Sequence, residues 1–324
     1  MVPFFIFSLP RSGSTLLQRI LAGHREISSV SEPWILLPLL YTLKSHGVNT
    51  EYSHSLSVEA LEDFCKKLPA GKGDYLAEVR NFVLRLYEKR SDKSAAKYFL
   101  DKTPRYHLIC NEIIHLFPDG KFIFLWRNPL AIIASMITTW HKGNWKIFKL
   151  KVDLFDGVEH LEAAFIQHQG AALSVQYEHL INDPEYELGR IFNYLELKKD
   201  PDLINTFTKV DIEGPMGDST GAKSYKELNQ EPLEKWKTVL NNPFRKAWCK
   251  RYLKWVGHER LKVMGYELDG LLAELDALPN DGMLRLPYDL IMAFYGLFFC
   301  GFDVRILKKK WKLLPDWKWV KGHS

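Results

Sequence analysis

Short unbroken apolar runs alternate along this chain with longer stretches whose apolar positions recur every three or four residues. The first pattern fits a strand buried on both faces, and the second fits one side of a helix. Val2–Ser8 is such a run, and Ser14–Ala22 follows it with Leu16, Leu17, Ile20 and Leu21 on one helical face. Further strands are predicted over Tyr98–Asp101, Lys121–Trp126 and Leu173–Tyr177, and helices over Pro129–Trp140 and Pro184–Leu195. Asn128 and Asp183 stand at cap positions, each followed by a proline that suits the first helical turn. Strands separated by helices predict βα units and a parallel sheet, an α/β fold. Residues 35–95 and 141–170 read as helical connections between sheet elements, where a substrate site is expected. Residues 205–235, rich in Gly, Pro, Ser and Lys, read as a long loop of the kind that serves as a lid.

Two strand ends carry chemistry. The first strand runs into Pro10-Arg11-Ser12-Gly13-Ser14-Thr15 before the helix begins. Such a turn gathers backbone N–H groups and a helix N-terminus at one point, which binds an anion. Gly13 permits close approach, Ser12, Ser14 and Thr15 add hydroxyls, and Arg11 adds charge. A Walker loop would need Gly-Lys-Ser/Thr, which is absent, so a nucleoside triphosphate is disfavoured. At the second strand end, Arg127 closes the run KFIFLW, and Ser135 follows eight residues later, about two helical turns on. A planar guanidinium and a hydroxyl at the carboxyl edge of a parallel sheet suit a phosphate monoester.

In order and spacing, PRSGSTLL after the first strand and R-x-P with Ser eight positions beyond the Arg resemble the sulfotransferases that use 3′-phosphoadenylyl sulfate (PAPS). DKTPRY (101–106), QYEHLINDPEYELGRIFNYLEL (176–197) and GDSTGAKSYKEL (217–228) add weaker matches, and the resemblance extends over residues 2 to about 267. It implies a P-loop-like parallel sheet flanked by helices, the sulfotransferase fold. It also implies transfer of a sulfuryl group from PAPS to an acceptor hydroxyl or amine, with release of PAP and without a metal. By this resemblance Arg11, Ser12, Gly13, Ser14 and Thr15 hold the 5′ end of the donor, and Arg127 and Ser135 hold its 3′-phosphate. Ser219 and Lys223 close over the nucleotide from the late loop. Lys102 contacts the bridging or sulfuryl oxygens, and Glu32, in SVSEPW, is the base. His24, His107 and His141 stand in reserve, His24 with a context that suits packing or capping. The loop variant is closer to the tyrosylprotein, carbohydrate and bacterial members than to the cytosolic steroid and phenol enzymes. A saccharide or glycolipid hydroxyl is therefore the expected acceptor. A P-loop-like kinase or other phosphotransferase using a nucleoside triphosphate is the alternative.

Composition adds boundaries. Hydrophobic residues make up 46% and charged residues 26%, values of a chain with a sizeable core. A net charge of +5 suits an anionic ligand but not a nucleic-acid partner. Cys65, Cys110, Cys249 and Cys300 form no CxxC or zinc pattern, which fits free thiols in a reducing, cytoplasmic setting. The N-terminus lacks a signal-peptide pattern, and no run reaches the roughly 20 apolar residues of a bilayer-spanning helix. Residues 1–270 are expected to form the sulfotransferase domain and 271–324 a helical, basic and aromatic extension. In that tail an apolar stretch precedes a Lys/Trp-rich one, a pattern open to two readings: a peripheral membrane contact, or a helix covering the core.

Overall fold

A computed structural model describes residues 1–210, 212 and 229–301. In chain order the main elements are β1 (Val2–Phe7), α1 (Ser14–Ala22), β2 (Ile27–Ser29), α2 (Leu36–Tyr41), α3 (His54–Cys65), α4 (Lys72–Arg90), β3 (Tyr98–Asp101) and α5 (Cys110–Leu116). There follow β4 (Lys121–Trp126), α6 (Pro129–His141), α7 (Gly157–Gln167), β5 (Ala172–Gln176), α8 (Tyr177–Asn182), α9 (Pro184–Leu195) and α10 (Leu203–Thr206). The last are α11 (Glu231–Val239), α12 (Pro243–Met264), α13 (Leu268–Ala277) and α14 (Leu286–Gly301). The five strands form one sheet in the order β2-β3-β1-β4-β5, every pairing parallel. This is the α/β fold that the alternating runs predict.

The sheet separates two cores, which explains why its strands are apolar without interruption. Phe5, Phe7, Phe99, Phe122 and Phe124 enter a core shared with α6 and α7. Their neighbours Phe4, Ile6, Leu100, Ile123 and Leu125 face the opposite way, into a core with α1 and α9. Successive strand residues point to opposite faces, so burial on both sides demands an apolar residue at every position. The predicted caps form: Asn128 accepts from the Leu130 N–H of α6, and Asp183 from the Tyr186 N–H of α9.

β2 has three residues, too short to leave a pattern in the sequence, yet it brings the chain back to the sheet edge just before Glu32. The loop expected over 205–235 is bounded more narrowly, because α10 and α11 occupy its two ends. Ser219 and Lys223, and the Lys/Trp-rich tail beyond residue 301, lie outside the described residues. Trp126 belongs to the core, stacked on Phe124 and donating its indole N–H to Ser174 Oγ at 3.1 Å.

Candidate functional site

With β1 at the centre of the sheet between β3 and β4, four chain segments leave the carboxyl edges of adjacent strands together. They carry Ser8–Thr15 after β1, Glu32 after β2, Lys102 after β3 and Arg127 after β4. This shared edge, where strand order reverses across β1, is the ligand-binding position of an open parallel sheet.

The β1–α1 turn is left-handed at two places, Arg11 (φ 70°) and Gly13 (φ 89°). Alternation of this kind curls backbone N–H groups around a concavity that accepts an anion. Gly13 is needed twice over. Its φ disfavours any side chain, and a Cβ there would lie 2.3 Å from the ring of Tyr177. The same ring supports the second motif, because the Arg127 guanidinium carbon sits 4.5 Å from its centroid. Arg127 is 7% exposed; its Nη1 donates to the Arg11 carbonyl at 2.8 Å and its Nη2 to the Pro232 carbonyl at 2.7 Å. Ser135 accepts from Arg11 Nε at 3.2 Å. The two motifs, 116 residues apart, are thus joined by direct hydrogen bonds. Among the described residues, Ser12 Oγ and Arg127 Nε are buried polar atoms without a hydrogen-bond partner. Buried donors of this sort are costly unless something accepts from them, and they fit a ligand rich in acceptor oxygens.

Glu32 and Lys102 meet on the other side of the turn. Lys102 Nζ, 1% exposed, donates to Glu32 Oε1 at 2.7 Å and to Thr15 Oγ1 at 3.2 Å. It therefore links the anion loop to the carboxylate. Trp34 Nε1–H donates to Glu32 Oε2 at 3.3 Å, so both carboxylate oxygens are oriented. Trp34 takes a left-handed φ of 55°, a strained choice for a bulky residue. Its backbone N–H is 3.4 Å from Thr103 Oγ1.

Behind this pair lies a network that the motifs do not include. Asp101 is wholly buried and accepts from Tyr87 at 2.6 Å, Tyr106 at 3.0 Å and Thr103 at 3.3 Å. Burial pushes its carboxyl up to about 6, against the three hydroxyls and Lys102, which favour the charged form. Tyr106 Oη also accepts from the Leu36 N–H at 3.2 Å, tying the network to the segment that bears Glu32 and Trp34. A second buttress is Glu178, which accepts from the Asn128 N–H at 2.9 Å and fixes the turn after Arg127. Asp101 is the first residue of the DKTP match, but neither its burial nor its bonds to tyrosines 14 and five residues away follow from any motif.

Two of the three reserve histidines, His24 and His107, are engaged elsewhere. His24 packs on Phe192, with Nδ1 accepting from the Glu26 N–H. His107, fully buried, bonds Asp153 at 3.0 Å, and burial lowers its pKa. His141 ends α6, the helix that starts beside Arg127.

A model of the sulfotransferase family matches residues 3–201. Among curated proteins, the nodulation protein NoeE of Sinorhizobium fredii is 32% identical over 137 residues, 42% of this chain and 31% of that protein. Protein-tyrosine sulfotransferase 2 of Gallus gallus is 24% identical over 243 residues, 72% of this chain and 62% of that protein. The chain thus spans less than two thirds of the length of these relatives. Among solved structures, the sulfotransferase domain from the curacin biosynthetic pathway has a TM-score of 0.51 at 22% identity. The match covers 78% of this chain and 96% of that domain, and it shows the fold.

Proposed function

Because the chain belongs to the sulfotransferase family, as the match over residues 3–201 establishes, we propose that it transfers the sulfuryl group of PAPS to an acceptor hydroxyl. The observation that carries this reading is the bonded assembly of two anion-binding motifs, Arg127 on Arg11 and Arg11 on Ser135, at one sheet edge. The unpartnered Ser12 Oγ and Arg127 Nε fit a nucleotide with phosphates at both ends. In this reading Arg11–Thr15 take the 5′-phosphosulfate, and Arg127 and Ser135 take the 3′-phosphate. Ser219 and Lys223 would contribute from the late loop.

The reaction needs an in-line arrangement and charge stabilisation at the leaving oxygen. The acceptor oxygen forms a bond to sulfur while the sulfur–oxygen bond to the 5′-phosphate breaks. The electron pair of that bond stays on the phosphate of PAP. The acceptor proton passes to Glu32, whose carboxylate Lys102 and Trp34 hold in orientation. Lys102, bonded to both Glu32 and Thr15, stands where it can neutralise charge on the bridging oxygen. None of these steps calls for a metal.

For the acceptor we favour a saccharide hydroxyl, free or in a glycolipid. Half-buried Trp34 stands beside the base, and an indole face is a good platform for the apolar side of a sugar ring. The test is a labelled-PAPS transfer screen over saccharides, glycolipids, phenols and tyrosine peptides, paired with binding of PAP against ATP. Micromolar PAP binding with label in a saccharide is the expected result. ATP binding without PAP binding would instead establish the phosphotransferase alternative, and label in the tyrosine peptide alone would replace the saccharide.

A further inference from the structure

α14 is built inside out for a helix that covers a core. Its two buried positions among the described residues, Asp289 and Gly296, are a polar residue and a small one. Asp289 is fully buried and takes a two-pronged ion pair from Arg245, with Nε at 2.7 Å and Nη2 at 2.8 Å. Ala293 and Gly296 border a cavity of about 620 Å³. Its large apolar residues face outward: Leu290 is 49% exposed, Ile291 61%, Phe294 78% and Leu297 73%. These positions form one continuous stripe at helical spacing. Contiguous exposed apolar surface of this kind marks an interaction site.

The cavity has the size of a small-molecule site. Its remaining walls include Trp145, Phe155, Trp248, Tyr252 and Trp255, with Lys151 and Arg251 as its cationic members. Aromatic walls with two cations select a ligand that is apolar along its length and anionic at one end. The cavity is separate from the donor site. α6 starts beside Arg127 and ends at His141, shortly before Trp145 in the cavity wall, a helix ~20 Å long at 1.5 Å per residue. Directly after α14, residues 302–324 hold seven Lys or Arg against two Asp, which accounts for the whole net charge of +5, with Trp311, Trp317 and Trp319 among them. By composition that segment is cationic, which favours an anionic bilayer as the partner of this part of the chain.

We propose that α14 lies in the interface of an anionic membrane, and that the cavity beneath it takes one acyl chain of an anionic phospholipid, its phosphate met by Lys151 and Arg251. No helix among the described residues is long and apolar enough to cross a membrane, so the helix lies along the surface with its stripe in the acyl boundary. The site is independent of sulfuryl transfer and stands whether or not PAPS is the donor.

The full chain is sedimented with vesicles of phosphatidylglycerol and phosphatidylcholine in equal parts, and with phosphatidylcholine alone. Binding to the first and not the second is expected. The pair Ile291→Glu with Phe294→Glu, on exposed positions outside the cavity wall, should weaken vesicle binding by about tenfold or more while leaving the melting temperature unchanged. Calorimetry with dihexanoyl phosphatidylglycerol, below its micelle concentration, reads the cavity by itself. Ala293→Trp fills that cavity and should abolish this binding while vesicle docking persists. Equal binding to both vesicle types, or indifference to both variants, overturns the proposal. So does a dimer that the glutamate pair converts to monomers without any vesicle binding, which would assign the stripe to self-association.

Discussion

Two buried ion pairs, one at the sheet edge and one between α12 and α14, share their charges and differ in everything else. Arg245 and Asp289 are saturated: the guanidinium meets both carboxylate oxygens and the Val239 and Gly143 carbonyls, and Asn242 donates to Asp289 as well. Lys102 and Glu32 are joined by one bond of 2.7 Å, with Thr15 on the lysine and the Trp34 indole on the carboxylate. The Glu32 side chain is 10% exposed, where Asp289 is sealed. The same sheet edge carries buried donors with no partner, Ser12 Oγ in the turn after β1 and Arg127 Nε after β4. A pair whose hydrogen bonds are complete can hold helices together and do nothing more. A pair left with accessible lone pairs beside unpartnered donors is prepared for a ligand.

The largest expected effect tests the open pair. Glu32→Gln keeps the shape and the hydrogen bond from Lys102 but removes the proton acceptor. Steady-state turnover should fall by about 10²–10⁴, the usual contribution of a general base, while PAP affinity stays within about threefold of wild type. Turnover that survives the change would remove Glu32 from proton transfer and reduce its pair with Lys102 to the structural kind.

The closed pair should show the reverse pattern. Asp289→Ala strands the Arg245 guanidinium, one of the largest fully buried side chains. Loss of one partner from such a pair costs about 3–5 kcal/mol, read as a shifted urea midpoint. Replacing both partners with apolar residues, Arg245→Met with Asp289→Leu, should recover most of that loss, because neither charge is then left buried alone. A single Asp289→Ala variant as stable as wild type would break the contrast.

The difference between the two regions also governs what the sequence made legible. The sheet edge follows local rules: each strand end, turn and helix start is contiguous in the chain, so motif and spacing singled out Arg11–Thr15, Arg127 and Ser135, the family resemblance added Glu32 and Lys102, and the structure places all of them at one edge. Their convergence follows from a parallel sheet, which brings all its carboxyl ends to one edge. The network behind them could not be read, since Tyr87 reaches Asp101 from the end of α4 and Glu178 reaches Asn128 across 50 residues. The C-terminal half was less legible still. An apolar run interrupted by Asp289 fits a core helix and an interfacial helix equally, and only the pairing with Arg245, 44 residues upstream, shows which side faces in.

Asp101 sharpens the comparison because it stands at the donor edge yet is built like the closed pair. It is sealed, three hydroxyls donate to it, and its sequence neighbour Lys102 is committed to Glu32 and Thr15. Burial raises its folded pKa from the ordinary 3.8 to about 6, so between those values the folded state holds a proton that the unfolded chain has released. Its contribution to stability is therefore complete below about pH 4 and is lost as pH rises through about 6. The loss is on the order of 3 kcal/mol, because each tenfold gain in proton affinity on folding is worth about 1.36 kcal/mol. Asp101→Asn cannot titrate, so the wild-type unfolding free energy measured relative to this variant should decline across about pH 4–6 and level off near about pH 7. A difference that stays flat over that window and instead rises with pH below about pH 4 would mean that the three hydroxyls and Lys102 outweigh burial and keep the carboxylate charged. Asp101 would then belong with Glu32, as an ionised group at the donor edge, rather than with the sealed groups that hold the fold together.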